Sequence, residues 1–276
     1  MRVALIKREY ASLGGLIGPV SKRSLFSSFQ SIQSIIVMPA GAGGEIRPFP
    51  MQKIMLQFFR WSMNADIKVI SFDVEGTLVT TEFSSAIWFE MIPQRYAVRH
   101  GLEFEEATRE IRKAYDSVGD QRLEWYDVQY WFTRFDLGRA DIAMEMFQDR
   151  VNYFPETSSV LQGLGRDYKL SVASGSPRPF LKHLLRDIEH NFSSVFSSTT
   201  DFQQVKSADF YRSMCRRLGV EPGQVAHVGD NLQFDFNEPA SIGIYSFHLD
   251  REGETGNPAA LRNLEQLAGL LESIKV

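Results

Sequence analysis

The stretch Phe72-Asp73-Val74-Glu75-Gly76-Thr77-Leu78 decides the fold of this chain. It completes the largely apolar run at residues 67–72, which is typical of a buried β-strand. An acidic residue, a second acidic residue two positions later and a glycine then end the run. In open parallel sheets, ligands bind beyond the carboxyl ends of the strands. The stretch therefore predicts that Asp73 and Glu75 lie at the ligand-binding edge of a sheet.

Four further runs rich in apolar and β-branched residues predict strands, and longer segments separate them. The runs lie at residues 170–173, 194–197, 225–228 and 242–247. Helical periodicity is found at residues 103–115, 201–218 and 258–274. Strands that alternate with helices predict an α/β fold with a Rossmann-like parallel sheet.

The segment at residues 81–164 breaks this alternation, because it has amphipathic helical stretches and no convincing strand. We therefore predict that it is a helical cap, inserted into a core formed by residues 65–80 and 165–276. A cap above a reactive edge contacts the substrate and excludes water. Arg95 and Arg134 of the cap are candidate contacts for an anion.

Small polar and charged residues also follow the other predicted strands. Ser174-Gly175-Ser176 follows the second strand, and Lys206 opens the helix after the third. The segment Gly229-Asp230-Asn231, with Asp235 close behind, follows the fourth strand. All of them are expected at the edge that carries Asp73.

This set of residues meets the needs of phosphoryl transfer. Mg²⁺ takes oxygen ligands, which Asp73 and Asp230 offer. Asp73 is suited to attack phosphorus while Glu75 protonates the leaving oxygen. The Ser174 hydroxyl and adjacent amides suit the phosphoryl oxygens, and Lys206 suits their negative charge.

Four motifs together resemble the haloacid dehalogenase-like superfamily in their order and spacing. They are FDVEGTL at 72–78, VASGS at 172–176, VKSADFY at 205–211 and HVGDNLQFD at 227–235. The insertion after the first motif resembles the helical cap of the phosphoglycolate-phosphatase-like subgroup. The resemblance covers the chain from Ile67 to its last residue.

The resemblance implies a Mg²⁺-dependent phosphohydrolase that acts on a small phosphomonoester through an aspartyl-phosphate on Asp73. Glu75 is implied as the general acid and base, with its main-chain carbonyl as a metal ligand. Asp230 is implied as a further ligand of Mg²⁺, and Asp235 as a member of the metal site through water or the lysine. Substrate binding and phosphoryl stabilisation are implied for four residues: Thr77, Ser174, Gly175 and Lys206.

Glu75 departs from the pattern of these phosphatases, which usually have aspartate at this position. Catalytic placement is sensitive to shifts of ~1 Å, so the extra methylene matters. Two alternatives to an active phosphatase stay open. One is an inactive fold used as a binding or regulatory module. The other is a 2-haloacid dehalogenase, which attacks carbon without a metal and which the acidic Glu75 and Asp230 disfavour.

Charge and composition exclude other classes of function. The chain has 30 basic and 34 acidic residues, so it lacks the basic surplus of a nucleic-acid-binding protein. No apolar run approaches the ~18 to 20 residues of a membrane span. The single cysteine, Cys215, excludes a disulfide framework.

Residues 1–64 form a basic, serine-rich leader, whose first 44 residues hold five cations and one anion. We expect a cytoplasmic protein in which this leader is disordered or represents upstream coding sequence. Import into a mitochondrion or plastid is the alternative, because the composition is also typical of a transit peptide.

Overall fold

The computed structural model describes residues 66–119 and 122–274, and the predicted leader lies outside this part of the chain. Its centre is a five-stranded parallel sheet with the order β3-β2-β1-β4-β5. The strands are β1 (Val69–Phe72), β2 (Lys169–Ser174), β3 (Ser194–Ser197), β4 (Val225–Gly229) and β5 (Tyr245–His248). The predicted α/β class and parallel sheet are confirmed.

β1 is the middle strand and is buried along its whole length, which explains its apolar sequence. Phe72 pairs with Val172 of β2 and with Val228 of β4. Alternate residues of β1 belong to different hydrophobic clusters: Ile70 and Phe72 belong to the larger one, and Val69 belongs to a second one that includes Phe210 and Met214. The aligned register brings the ends of the three central strands to one level.

Helices fill the connection between β1 and β2 and cover both faces of the sheet. Before β2 they are α1 (Glu82–Ala86), α2 (Ile92–His100), α3 (Phe104–Val118), α4 (Leu123–Tyr126), α5 (Val128–Arg134), α6 (Ala140–Glu145) and α7 (Thr157–Leu164). After β2 they are α8 (Arg178–Leu184), α9 (Ser198–Asp201), α10 (Ala208–Leu218), α11 (Glu238–Ser241) and α12 (Leu264–Ile274). Two π-helical turns (Ile87–Met91 and Leu232–Asn237) and three 3₁₀ turns (Gln148–Arg150, Glu189–Asn191 and Pro222–Gln224) complete the order. Within the described ranges, no helix combines the length and hydropathy needed to cross a membrane.

The chain leaves and re-enters the core through two adjacent segments. The amide of Thr80 donates to the carbonyl of Asn152 at 2.8 Å, and the amide of Phe154 donates to that of Leu78 at 3.1 Å. Beyond this pair, α7 packs against α12. The cap limits at residues 81 and 164 stay a prediction, and these contacts favour an end of the cap near residue 152.

Three predicted elements begin three or more residues later than the sequence indicates. The helix predicted from residue 201 begins at Ala208, because the Ser207 hydroxyl accepts the amide proton of Phe210 and caps it. Lys206 therefore lies in the preceding loop. The last helix begins at Leu264 rather than at residue 258, and the last strand begins at Tyr245 rather than at residue 242.

Candidate active site

The strand ends bring the predicted site residues to one edge of the sheet. Asp73 follows β1, Ser174 ends β2 and Asp230 follows β4. The amide of Asp73 donates to the carbonyl of Val228 at 2.9 Å, which extends the strand ladder and fixes its backbone. Every site residue predicted from the four motifs, except Thr77, lines one cavity of about 340 Å³ at this edge.

Lys206 joins two carboxylates in the interior. Its Nζ donates to Asp73 Oδ1 at 2.6 Å and also to Asp235 Oδ1, and all three residues are buried. Burial alone lowers the pKa of Lys206, but the charges of Asp235 and Asp73 outweigh it and raise this pKa above its ordinary value. Lys206 is therefore a fixed ammonium group beside Asp73.

The two carboxylates that Lys206 joins respond differently to their surroundings. Burial raises the pKa of Asp73 well above its ordinary value, although Lys206 opposes the shift. Burial acts on Asp235 in the same direction, but Lys206 and His227 outweigh it and hold the pKa of Asp235 below its ordinary range. Asp235 thus keeps the charge that anchors Lys206.

A π-helical turn holds Asp235 in place. Asn231 caps this turn, since its side chain accepts the amide protons of Gln233 and Phe234 at 3.0 and 2.9 Å. Asp235 Oδ2 accepts the amide proton of Asn231 at 3.1 Å. The wider turn directs Asp235 inward, and π-helical turns of this kind are frequent at functional sites.

His227 supports Asp235 from within the sheet. Its Nε2 lies 3.1 Å from Asp235 Oδ1, and its Nδ1 lies 3.0 Å from the Ser71 hydroxyl. Burial lowers the pKa of His227, so we assign a neutral ring that donates from Nε2 and accepts at Nδ1. The Tyr211 hydroxyl adds a contact to Asp235 Oδ1 at 3.3 Å. His227 is therefore a buried core histidine with hydrogen-bond partners at both ring nitrogens.

Two glycines make room for the acidic residues after β4. Gly76 has a φ of +72°, and a Cβ at this position would overlap the Oδ2 atom of Asp230. A Cβ at Gly229 would overlap the carboxyl group of Asp235. Only glycine permits these approaches, and only glycine adopts the backbone of residue 76 without strain. Asp230 is exposed to solvent, but the protein groups around it desolvate its carboxyl group and, with the charge of Asp235, raise its pKa to about 6.

Glu75 is held by a hydroxyl from the loop after β2. The Ser176 hydroxyl donates to Glu75 Oε2 at 2.5 Å. Burial raises the pKa of Glu75, and the Ser176 hydrogen bond opposes this shift. The hydroxyl of Ser84, on α1 of the cap, also lowers the pKa of Glu75. It lies outside normal hydrogen-bond geometry to the described residues. Glu75 thus reaches the interface between core and cap.

Of the other predicted substrate contacts, Ser174 and Gly175 line the cavity and Thr77 does not. Ser174 Oγ is buried, lines the cavity and accepts the amide proton of Ser176 at 3.1 Å. The carbonyl of Gly175 accepts the Thr199 hydroxyl at 3.0 Å. The Thr77 hydroxyl is buried, outside the cavity lining and without a partner among the described residues. Its contact with a substrate stays a prediction.

The site has the donor set of a hard divalent cation. One carboxylate oxygen each from Asp73, Asp230 and Asp235 lie within 4.8 Å of one another. Asp235 is already hydrogen bonded through both oxygens, whereas the carboxylate of Asp230 makes no such bond to another described residue. Asp73 and Asp230 fit such a cation best, because a small hard cation takes one or two carboxylates and retains water.

Sequence reasoning missed two residues that hold the catalytic loop, which is the segment at residues 73–78 after β1. Ser176 is 101 positions from its partner Glu75 in the sequence. Arg251 is 175 positions from Gly76, and the Nε of Arg251 donates to the carbonyl of Gly76 at 3.2 Å. Ser176 ends the motif at 172–176, so its position was visible but its partner was not. No sequence signal marks Arg251.

A family model for haloacid dehalogenase-like hydrolases matches residues 67–236. Over 81 residues the chain is 27% identical to the GMP/IMP nucleotidase YrfG of Escherichia coli (strain K12). The aligned stretch covers 29% of this chain and only 36% of that protein. The solved HAD phosphatase from Thermococcus onnurineus has a TM-score of 0.67 at 25% identity, over 74% of this chain and 98% of its own. The 2-haloacid dehalogenase from Pseudomonas syringae pv. Tomato DC3000 shares the fold, with a TM-score of 0.53 at 21% identity over 75% and 99% of the two chains. Because the family model spans more than half of the sequence, and the site it covers has the geometry described above, this chain belongs to the haloacid dehalogenase-like hydrolase family.

Proposed function

We propose that this enzyme is a Mg²⁺-dependent phosphatase that hydrolyses a small phosphomonoester through an aspartyl-phosphate on Asp73. One observation carries the proposal. A buried carboxylate at the end of the central strand receives a hydrogen bond from a buried ammonium group, Lys206, at 2.6 Å. The names of a nucleotidase and a phosphatase among the relatives support phosphoester chemistry.

The first half of the reaction uses Asp73 as the nucleophile. Lys206 occupies Asp73 Oδ1, so Oδ2 is the oxygen that attacks phosphorus. The bond from phosphorus to the leaving oxygen breaks, and Glu75 gives its proton to that oxygen. The raised pKa of Glu75 favours the protonated form that this step needs. Lys206 and the amides near Ser174 stabilise the charge on the phosphoryl oxygens.

The second half returns the enzyme to its starting state. The Glu75 carboxylate takes a proton from water, and the resulting hydroxide attacks phosphorus of the aspartyl-phosphate. Inorganic phosphate leaves and Asp73 regains both carboxylate oxygens. The Ser176 hydrogen bond keeps Glu75 in one orientation for both proton transfers.

Mg²⁺ would be held by Asp73, Asp230 and the carbonyl of Glu75, and it would supply charge neutralisation for the phosphoryl group. Asp235 supports the site in a different way, because it fixes Lys206 from behind. Four carboxylates face a single ammonium group among the described residues that line the cavity. A divalent cation would offset most of this excess negative charge.

The test is phosphate release by the purified protein from a panel of phosphomonoesters, with Mg²⁺ and with EDTA. Asp73→Asn is expected to lower turnover by about 10³-fold or more, because it removes the nucleophile. Asp187→Asn is the matched control, since the Asp187 carboxylate is exposed and pairs with Arg186 on the surface. Normal turnover in Asp73→Asn would contradict the proposal.

The same preparation decides between the alternatives. Halide release from a 2-haloacid without Mg²⁺ would identify a dehalogenase. Mg²⁺ binding without hydrolysis of any phosphoester would identify an inactive binding module.

A further inference from the structure

The outer part of the active-site cavity differs in chemistry from its catalytic end. The charged residues among the described lining are Asp73, Glu75, Lys206, Asp230 and Asp235, and all of them belong to the catalytic cluster. The remaining lining consists of aromatic, small and neutral polar side chains. The leaving group of a bound phosphoester must therefore occupy a region without formal charge.

Aromatic side chains line this outer region from both sides. Six of them do so: Trp88, Phe89, Trp125 and Tyr126 from the cap, and Phe180 and Phe234 from the core. Trp88 and Phe180 are stacked with their centroids 5.6 Å apart and an angle of 8° between the rings. Phe180 is buried, and Trp88 is half-buried where it lines the cavity.

Phe89 keeps an exposed ring beside the cavity. It leaves 46% of its surface open, whereas most large apolar residues of the described chain are buried. An aromatic ring that remains open beside a binding cavity is suited to contact a flat apolar surface. Trp125 is half-buried and also lines the cavity, with its ring centroid 6.1 Å from that of Trp88.

The cap offers no cation to a second anionic group at the described cavity lining. The guanidinium of Arg95 lies 5.9 Å from the centre of the Phe132 ring, and that of Arg134 lies 5.3 Å from the centre of the Trp131 ring. Neither arginine belongs to this lining, so the geometry does not support their predicted anion contact. A carboxylate or a second phosphate on the leaving group would therefore enter an acidic site without a partner.

We infer that the enzyme selects phosphomonoesters whose leaving group carries a flat, uncharged aromatic ring, as a nucleoside 5′-monophosphate does. The inference rests on the proposed phosphatase activity and names its substrate class. The ring stacks on the cap aromatics while the phosphoryl group meets Asp73 and Lys206. A cavity of about 340 Å³ lies in the range of ~300 to 1,000 Å³ found for small-molecule sites.

The experiment compares kcat/KM for three phosphoesters: guanosine 5′-monophosphate, ribose 5-phosphate and 2-phosphoglycolate. The first two differ by the base, and the third carries a carboxylate. We expect the nucleotide to exceed each of the others by about tenfold or more, which is the contribution of one stacked base. Phe89→Ala and Trp125→Ala are each expected to lower the ratio of nucleotide to ribose 5-phosphate by about tenfold, and Trp125→Phe to restore most of it.

Phe104→Ala is the matched control, because Phe104 is also an exposed cap aromatic, at 40%, but lies outside the described cavity lining. Its substrate ratio should equal that of the wild type. Asp73-dependent hydrolysis that favours 2-phosphoglycolate or ribose 5-phosphate would overturn the inference and leave the phosphatase proposal standing. Absence of Asp73-dependent hydrolysis from every substrate would overturn both.

Binding gives a second readout that needs no turnover. Guanosine, but not ribose, should bind the Asp73→Asn variant and quench its tryptophan fluorescence, and Trp125→Phe should reduce the quenching. Equal affinity for guanosine and ribose would overturn the inference.

Discussion

Gly76 shows how a single residue without a side chain determines the geometry of the site. Its φ of +72° and the overlap of any Cβ with Asp230 Oδ2 are two separate reasons for glycine. Gly76→Ala should lower kcat by about 10²-fold, because a displaced Asp230 leaves its place beside Asp73. Steady-state kinetics at saturating Mg²⁺ measures this loss.

Gly101 separates the two reasons. It also has a positive φ, of +66°, but no atom lies within 4 Å of the site of its Cβ. Gly101→Ala should cost about 1 kcal/mol of folding free energy through backbone strain and leave kcat unchanged. Equal kinetic losses in the two variants would show that strain, and not the contact with Asp230, governs activity.

Ser176 sets the pKa of Glu75 from the other side of the site. Glu75 must be protonated to act on the leaving oxygen, so kcat falls as the pH rises through its pKa. Burial raises this pKa and the Ser176 hydrogen bond lowers it. Ser176→Ala therefore raises the pKa of Glu75 further and should move the alkaline limb of the kcat profile to higher pH.

Ser241→Ala is the control for the pH profile, because the Ser241 hydroxyl donates to the carbonyl of Glu238 within its own helix. Its alkaline limb should match that of the wild type. A downward shift in Ser176→Ala would exclude Glu75 as the general acid.

At the scale of elements, Arg251 ties three segments together. It follows β5, and its Nε and Nη2 donate to the carbonyls of Gly76 and Thr77 at 3.2 and 2.7 Å. Its Nη1 donates to Glu156 at 2.8 Å, and its guanidinium lies 3.5 Å from the centre of the Phe154 ring. One side chain thus joins the catalytic loop, the return from the cap and the last strand.

Arg251→Ala should lower the free energy of unfolding by about 2–3 kcal/mol, because Glu156 and two carbonyls lose a charged donor. Arg251→Lys should recover little, since an ammonium group lacks the planar set of donors. Denaturant unfolding measures both values. Arg262→Ala is the control, as Arg262 lies on the same loop but is 41% exposed in its pair with Asp250. A loss in Arg262→Ala as large as in Arg251→Ala would contradict this role.

The elements also show what the sequence could predict. The apolar run before Asp73 and the motifs at 172–176 and 227–235 predicted both the parallel sheet and the edge at which the site lies. Hydrogen bonds between distant positions, such as Ser176 to Glu75, have no periodic signal and become visible only in the folded chain. The predicted start of α10 at residue 201 is wrong because Ser207 caps the N-terminus of this helix, so the helix begins only at Ala208.

For the whole molecule, the site concentrates charge that the remainder of the fold must tolerate. A net charge of -4 is modest for 276 residues, yet four carboxylates and one ammonium group line one cavity. Three of these groups, Asp73, Lys206 and Asp235, are almost fully buried, so each depends on the others for its charged state. Ligands of this site should therefore change the stability of the entire domain.

Thermal unfolding with and without Mg²⁺ tests this coupling. Mg²⁺ at about 100 times its Kd should stabilise the protein by about 2.7 kcal/mol, or ~5 to 10 °C in Tm for a domain of this size. Asp230→Asn should abolish the shift, because the Asp230 carboxylate anchors no other described side chain and is left for the metal. Asp235→Asn should instead lower the Tm without Mg²⁺, since Lys206 loses a buried partner, and keep most of the shift. Loss of the shift in Asp235→Asn without any fall in the initial Tm would make Asp235 a direct ligand of the metal rather than a support for Lys206.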